Sequence, residues 1–206
     1  MGRKRGFDET VVLDVVRDRF WSTGFAGTST YDLMEATGLG KGSIYKAFGN
    51  KRDLYLRVFS DYCQALVAQA RDQLRGAPDA APGSPLARLE NYLVSIADAF
   101  AAESPHRGCF LTKATADLAG EDEKVAQVAR RAFDDLAGIF AATIRDAQDA
   151  GEAADRADSS ALGYLLLSVI RGIDSIAKAG VDAATLERTA RSAVAVIPRA
   201  GSSAQN

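Results

Sequence analysis

Residues 24–54 read GFAGTSTYDLMEATGLGKGSIYKAFGNKRDL, and this stretch decides the fold of the N-terminal part of the chain. Ser29 is followed three residues later by Asp32, which is the pattern of a helix capping box. The pattern predicts a short helix from about residue 30 to residue 37. The run Gly38-Leu39-Gly40 then ends that helix, because glycine readily adopts the positive φ of a tight turn.

A second short helix is predicted over 41–48, and it begins with a lysine. Two short helices joined by a glycine-containing turn have the organisation of a helix-turn-helix. In that motif the second helix enters the major groove of DNA, and its neighbours contact phosphates. The alternative is a plain helical bundle with Lys41 and Lys46 on a solvated face. The candidate DNA-contacting residues are Thr28, Ser29, Thr30, Tyr31, Lys41, Gly42, Ser43, Ile44, Tyr45, Lys46 and Lys51.

Helical periodicity extends through the rest of the chain. One helix is predicted over 10–23 and ends at Gly24, and another follows the cap Asn50 and runs to about Arg75. Prolines and glycines make 76–85 a loop. The fold class is therefore all-α with about nine helices, the later ones at about 86–102, 109–119, 122–149, 157–179 and 182–197.

Charge is unevenly distributed along the 206 residues. The net charge is −2, but residues 1–63 hold ten Lys and Arg against eight Asp and Glu, and the remainder holds fifteen against nineteen. Arg3, Lys4 and Arg5 precede the first acidic residue. Such a basic arm can hold phosphate or enter a minor groove, although taken alone it is more often a solvated tail.

Several classes of protein are disfavoured. Cys63 and Cys109 are too few for a disulfide framework and lack metal-ligand spacing, so neither a metal nor another cofactor is expected. The single histidine, His106, has no recognisable catalytic partners, which disfavours an enzyme. The N-terminus lacks the apolar run of a signal peptide, and the longest apolar stretch, 162–170, is shorter than the roughly 20 residues of a membrane span. A cytoplasmic protein without a membrane partner is expected.

The spacing of residues over about 8–63 resembles the DNA-binding domain of the tetracycline-repressor (TetR/AcrR) regulators. The resemblance implies that Lys41, Gly42, Tyr45 and Lys51 face DNA, while Ile44 and Phe48 pack the recognition helix. The position before Phe48, commonly His or Tyr in that family, is Ala47 here, which removes one phosphate contact unless Lys46 compensates. The resemblance rests on Gly24-Phe25-x-x-Thr28-Ser29-Thr30 and on Gly38-Leu39-Gly40-Lys41-Gly42-Ser43-Ile44-Tyr45-x-x-Phe48-x-x-Lys51-x-x-Leu54.

The helix predicted over 157–179 carries an apolar arc wide enough to face both its own core and a partner. In TetR-like regulators the last two helices pair across a homodimer, and the resemblance implies the same here. The alternative is that the whole arc is intramolecular core. The residues concerned are Leu162, Leu165, Leu166, Val169, Ile170, Ile173 and Ile176, with Leu186, Ala190, Val194 and Ile197 on the last helix.

Cys109 follows Gly108 at the predicted start of a helix, where the helix dipole favours a thiolate, and Lys113 lies one turn later. This opening resembles a branch of the family in which some members sense electrophiles or oxidants through cysteine. One hypothesis is therefore a reactive sensor thiol. The other is a small buried hydrophobic residue, because free cysteine is usually buried.

An effector pocket is implied by the family more than by individual residues, since each candidate at helical spacing would equally serve as core. The candidates are Tyr92, Phe100, Cys109, Phe110, Lys113, Phe133 and Arg171.

These features predict a helix-turn-helix domain at 6–66, an effector-binding and dimerisation domain at 67–198, and a tail at 199–206. The predicted function is a ligand-responsive repressor that binds double-stranded, pseudo-palindromic operator DNA as a homodimer. A small-molecule effector of unknown identity would release it. The alternatives are a cysteine-based sensor of the same family, and a helical ligand-binding protein or enzyme that does not bind DNA.

Overall fold

The computed structural model describes residues 7–75, 84–102 and 107–201. The predicted basic arm, most of the predicted loop at 76–85, His106 and the end of the predicted tail lie outside the described residues.

The described residues form nine helices and no strand, which confirms the all-α prediction. Each predicted helix boundary lies within two residues of the observed one. The helices are α1 Glu9–Thr23, α2 Thr30–Thr37, α3 Lys41–Phe48, α4 Lys51–Arg75, α5 Pro85–Ala102, α6 Phe110–Leu118, α7 Glu123–Asp149, α8 Ser159–Lys178 and α9 Ala183–Ala195.

Local side-chain contacts fix the ends of the short N-terminal helices. The capping box of Ser29 and Asp32 is present at the start of α2, and Gly38 ends α2 with a φ of 67°. At the start of α4 the amide of Asp53 donates to Asn50 Oδ1 at 3.0 Å, and the amide of Asn50 donates back to the Asp53 carboxylate at 3.2 Å. These reciprocal bonds satisfy amides that the helix itself leaves unpaired.

Contacts between residues divide the chain into two compact units. The N-terminal unit comprises Met1–Gln64 and Phe110–Ala129, and the C-terminal unit comprises Ala65–Cys109 and Arg130–Asn206. The first break lies close to the predicted domain boundary after residue 66. Residues 110–129, by contrast, were expected in the larger domain and group with the N-terminal unit.

The N-terminal unit is built around a cluster of rings from α1, the turn that follows it, α4 and α6. Tyr55 meets Phe20 and Phe110 edge-on, at centroid distances of 5.0 and 5.7 Å. Phe110 also contacts Trp21 at 6.0 Å and Tyr62 at 5.6 Å. Edge-on ring pairs add stability beyond their buried area. We call Phe20, Trp21, Phe25, Tyr55, Phe59, Tyr62 and Phe110 the aromatic cluster.

In the C-terminal unit, α5 packs against α8 and α9, and these two also pack against each other. A Cβ added to Gly163 would lie 2.5 Å from the carbonyl oxygen of Ala137, so this glycine permits close packing of α8 on α7. Residues 199–201 begin the predicted tail but are held in place. Arg199 forms an isolated antiparallel bridge with Ala153, and the amide of Ala200 donates to the carbonyl oxygen of Glu152 at 3.2 Å.

Helix α8 is long and apolar enough, by length and composition alone, to cross a membrane, with a mean hydropathy of 1.3. A core helix passes the same test. Leu166, Ile170 and Ile173 of α8 are at most 1% exposed, and the helix packs on α5 and α9. We therefore attribute its hydropathy to packing between helices.

Candidate nucleic-acid interface

The two helices of the helix-turn-helix are held together by buried residues and by a polar contact. Leu33 of α2 and Ile44 of α3 have no exposed surface. The hydroxyl of Tyr45 lies 2.7 Å from Thr30 Oγ1, which joins the middle of α3 to the first residue of α2. The turn between them is tightened by the amide of Leu39, which donates to Thr37 Oγ1 at 3.3 Å. The orientation of α3 is therefore set by the unit's own contacts.

The first turn of α3 faces solvent. Lys41, Gly42 and Ser43 are exposed, as is Lys46 one turn further on. The Lys41 ammonium lies 5.6 Å from the centroid of the Tyr45 ring. This short helix therefore presents two cations, a hydroxyl group and the backbone of a glycine to solvent. Such groups can contact the phosphates and base edges of a duplex.

Gly42 is not required by the fold. It is not among the described glycines with positive φ, and a Cβ added to it would meet no heavy atom within 4 Å. Glycine inside a helix is less stable than alanine. A glycine that costs stability without an internal reason is expected where a backbone must approach another molecule closely.

Lys51 begins α4 and has a different environment. Its ammonium lies 4.3 Å from the centroid of the Phe25 ring, and its side chain is half-buried. This cation–π contact positions the charge at a helix N-terminus, where anions are favoured.

Thr28, a candidate DNA-contacting residue, is buried instead of facing solvent. The residue is 0% exposed, and its hydroxyl donates to the carbonyl oxygen of Gly24 at 2.7 Å. It also shares a hydrogen bond of 2.7 Å with Thr23 Oγ1. The Thr28 hydroxyl thus provides a hydrogen-bond donor for a backbone carbonyl just after the end of α1. Ile44, named as a DNA-contacting residue, also has no exposed surface and packs the core, as the family resemblance implied.

Ser29 is exposed, but its donors are engaged. Its amide and hydroxyl both donate to Asp32 Oδ2, at 2.7 and 2.8 Å, while Arg19 binds Asp32 Oδ1 at 2.8 Å. The backbone N–H of Ser29, more than Arg19, holds the pKa of the Asp32 carboxyl below its usual value. Tyr31 is 71% exposed. It lines an open groove of about 400 Å³ with Met34, Glu35, Gly38, Leu39 and Gly40.

The candidate effector residues are distributed over both units. Phe110 and Lys113 belong to the N-terminal unit, where Phe110 is fully buried in the aromatic cluster. The Lys113 ammonium lies 3.5 Å from Asp117 Oδ2. Phe110 thus serves the core of its own unit, and the role of both residues in an effector pocket stays a prediction.

Three other candidates lie near one another in the C-terminal unit. Tyr92 is 6% exposed and Cys109 3% exposed, whereas Arg171 is half-buried. Burial raises the pKa of Tyr92 to about 12, with Arg171 opposing the rise and Cys109 adding to it. Tyr92 also packs on Phe140, with ring centroids 6.0 Å apart. The remaining candidates, Phe100 and Phe133, are half-buried.

Asp174 was not predicted, although it lies beside Cys109. It is 0% exposed and accepts a hydrogen bond of 3.1 Å from the Cys109 amide. Its position four residues after the buried Ile170 was a usable signal, because an acidic residue on the apolar face of a helix is rarely buried without a reason. Within the described ranges, no group of three or more His, Cys, Asp or Glu side chains is placed to hold a metal ion.

The apolar arc of α8 divides into two faces. Leu166, Ile170 and Ile173 are buried, whereas Leu165 and Ile176 are 44% and 37% exposed. Other large exposed apolar residues of this unit are Tyr164 at 49% and Val196 at 56%. The predicted apolar residues of α9 and its C-terminal end, by contrast, are all buried: Leu186, Ala190, Val194 and Ile197.

Comparison with known proteins gives one family match in the N-terminal part of the chain and another in the C-terminal part. The family model described as "Bacterial regulatory proteins, tetR family" matches residues 12–58, which include α2 and α3. The model described as "Tetracyclin repressor-like, C-terminal domain" matches residues 85–193.

Two curated relatives align over most of their length. The uncharacterized HTH-type transcriptional regulator YezE of Bacillus subtilis (strain 168) is 27% identical over 183 residues, covering 88% of this chain and 92% of its own. The HTH-type transcriptional repressor ComR of Escherichia coli (strain K12) is 27% identical over 187 residues, covering 91% and 86%.

Solved structures share the fold. A cysteine mutant of the TetR family regulator CifR, complexed with 26-bp double-strand operator DNA, matches with a TM-score of 0.81 at 26% identity. The match covers 96% of this chain and all of that one. Reduced NemR of E. coli, 15% identical, has a TM-score of 0.82 over 93% of this chain and 97% of its own. Since one family model matches more than half of the sequence and a second matches the helix-turn-helix, the chain belongs to the tetracycline-repressor (TetR) family of bacterial transcription regulators.

Proposed function

We propose that the protein is a cytoplasmic repressor that binds a pseudo-palindromic operator as a homodimer and leaves it when a small molecule binds the C-terminal unit. The observation that carries the proposal is the exposed first turn of α3, with Lys41, Gly42 and Ser43 facing outward from a helix whose orientation is fixed by Thr30 and Tyr45. Repression is supported by the name of ComR, and operator binding by the complex of CifR. The proposal assigns no catalytic step to the chain.

The expected roles of the DNA-facing residues follow from their exposure. Gly42 and Ser43 would meet base edges, and Lys41 and Lys46 would meet phosphates. The proposed phosphate contacts on either side of α3 are Tyr31, Thr30, Tyr45 and Lys51. Thr28 and Ile44 are left out because they are buried, and Ser29 because its donors bind Asp32.

A homodimer is supported by the exposed apolar face of α8. Tyr164, Leu165 and Ile176 each expose more than a third of their surface. A second copy of the chain would cover this face, and a two-fold dimer would present two α3 helices to the half-sites of one operator.

Selection of genomic DNA fragments by the purified full-length protein tests the proposal. We expect the retained fragments to share an inverted repeat whose half-sites are about one helical turn, or a multiple of it, apart. Fragments without a common sequence, or no retention at low salt, would contradict a specific operator-binding function.

A further inference from the structure

The residues that lead into α1 are anchored beside the end of α3. Asp8 caps α1, because its Oδ1 accepts the amides of Thr10 and Val11 at 2.9 and 3.4 Å. The preceding residue, Phe7, packs on Phe48, the last residue of α3, with ring centroids 6.2 Å apart. Both of these aromatic residues are half-buried. Two successive residues are therefore held in place, and the chain before them starts next to the proposed DNA-reading helix.

This end of α3 carries little charge of its own. Lys46 is the basic residue of the last turn, and it is followed by the apolar, half-buried Ala47 and Phe48. The three cations of the basic arm stand immediately before this point in the sequence, separated from Phe7 by Gly6 alone. Glycine permits many backbone directions, so the direction of the basic arm can be set by the DNA that it meets.

From this anchor the basic arm can reach a second groove of the duplex. An extended chain advances about 3.3–3.6 Å per residue, so the four steps from Phe7 to Arg3 span up to about 14 Å. The minor groove is about 6 Å wide and adjoins the major groove across one phosphate backbone. A chain that starts at the end of a helix in the major groove can therefore cross that backbone into the minor groove, as the basic arms of other helix-turn-helix domains do.

We propose that Arg3, Lys4 and Arg5 enter the minor groove beside each operator half-site and favour base pairs that lack the guanine amino group. The inference rests on the proposed function, because it adds a second reading element to the same operator-bound chain. The minor-groove edge of an A·T pair offers acceptors alone, and narrow A·T tracts concentrate the negative potential that attracts Arg and Lys. Guanine places its N2 amino donor on the floor of the groove, where it opposes a cationic donor. The contact of Phe7 with Phe48 reduces the entropy that the arm loses on binding.

Inosine separates minor-groove reading from contacts in the major groove. An inosine·cytosine pair presents the same major-groove edge as guanine·cytosine but lacks the amino group in the minor groove. An operator recovered by genomic selection is prepared with the base pairs that border its half-sites as guanine·cytosine or as inosine·cytosine. Fluorescence anisotropy then gives the dissociation constant of the full-length protein for each duplex. We expect the inosine duplex to bind about fivefold more tightly, which is the lower end of the effect of one unfavourable base pair.

The triple variant Arg3→Ala, Lys4→Ala, Arg5→Ala tests the basic arm. It should bind the two duplexes equally, because the groups that meet the minor groove are gone. Its affinity for the inosine duplex should be about tenfold or more below that of the wild type, since three cations no longer release counterions. The substitutions leave Phe7 and Asp8 unchanged, so the circular dichroism spectrum should match that of the wild type.

Two further variants separate charge from position. The triple variant Lys124→Ala, Arg130→Ala, Arg131→Ala on α7 also removes one lysine and two arginines, all of them exposed, and should keep the fivefold preference for inosine. Phe7→Ala keeps the three cations of the arm but removes the ring contact with Phe48. It should therefore reduce the preference for the inosine duplex while retaining more affinity than the arm variant.

The inference is overturned if the wild type binds both duplexes equally, which is the result for an arm that stays in solvent. It is also overturned if the arm variant keeps the preference, since the preference would then come from the deformability of the duplex. Equal weakening of both duplexes in the arm variant would show phosphate contacts alone and would likewise overturn it. A protein that selects an inverted repeat but shows no preference for inosine refutes only this inference. A protein that selects no common sequence refutes the proposed function.

Discussion

The guanidinium of Arg52 binds both oxygens of the Asp122 carboxylate, with Nε 2.5 Å from Oδ2 and Nη2 2.7 Å from Oδ1. Arg52 is in the first turn of α4, and Asp122 precedes α7. Asp122 Oδ1 also accepts the amides of Lys124 and Val125, at 3.0 and 3.3 Å. One carboxylate therefore caps α7 and ties its start to the helix that follows α3.

The Arg52 pair predicts how stability depends on pH. Hydrogen bonding from Arg52 lowers the pKa of Asp122 to about 2. Because this folded-state pKa lies below the unfolded value of about 3.9, the stabilisation is complete above roughly pH 4 and is lost as the pH falls toward 2. Asp122→Asn should lower the free energy of unfolding at pH 7 by about 0.5–1 kcal/mol and should flatten its fall below pH 4.

Urea titrations of both proteins between pH 2 and pH 7 measure this difference. Asp122→Ala, which also removes the cap of α7, should cost about 1 kcal/mol more than Asp122→Asn. Parallel stability curves for the wild type and Asp122→Asn would show that the ion pair contributes nothing.

Gly42→Ala should raise the stability of the fold and lower the affinity for operator DNA. Alanine at this exposed position of α3 should raise the free energy of unfolding by up to about 1 kcal/mol, because glycine is the poorer helix former. Operator affinity should nevertheless fall, since the added methyl group lies where the backbone is expected to approach the duplex. Gly138→Ala is the matched control, because Gly138 is an exposed glycine inside α7 and a Cβ there also meets no atom within 4 Å. Undiminished operator affinity of Gly42→Ala would contradict close approach of the backbone.

The double variant Leu165→Glu, Ile176→Glu should convert the proposed homodimer to a folded monomer, because it places charges on the exposed apolar face of α8. Analytical ultracentrifugation measures the mass, and circular dichroism checks the helices. Val11→Glu is the control, since Val11 is 58% exposed on α1 and is equally apolar. A double variant that sediments like the wild type would place the dimer interface elsewhere.

Iodoacetamide labelling near neutral pH distinguishes the two hypotheses for Cys109. Cys109 and Cys63 are 3% and 4% exposed, so neither should react in the native protein and both should react in denaturant. Mass spectrometry of tryptic peptides identifies the labelled residue. Selective labelling of native Cys109 would instead favour the cysteine-based sensor.

The helices could be predicted because their ends depend on residues close in sequence. Ser29 with Asp32, Asn50 with Asp53, and Gly38 all act within one turn of the helix end that they fix. The grouping of residues 110–129 with the N-terminal unit could not be predicted. It depends on contacts such as that of Arg52 with Asp122, which are 70 residues apart.

In the candidate site, too, the features that depend on residues close in sequence could be predicted. Exposure of Lys41, Gly42 and Ser43 follows from the helical periodicity around Ile44. Thr28 was misassigned because a hydroxyl after a helix end can bind either phosphate or backbone, and the folded chain uses it for the Gly24 carbonyl.

Asp174 was missed for a related reason. The apolar periodicity of α8 does not identify an acid that is buried on the same face as Ile170.

The salt dependence of operator binding tests most directly whether the first turn of α3 contacts DNA. Dissociation constants are measured on a selected duplex over a range of salt concentrations for the wild type, Lys41→Ala and Lys124→Ala. Lys124 is an exposed lysine at the start of α7 and serves as the control. We predict that Lys41→Ala weakens binding and reduces the slope of log K against log salt by about one for each copy bound, while Lys124→Ala leaves the slope unchanged. A slope and affinity of Lys41→Ala equal to those of the wild type would contradict the assignment of α3 as the DNA-reading helix.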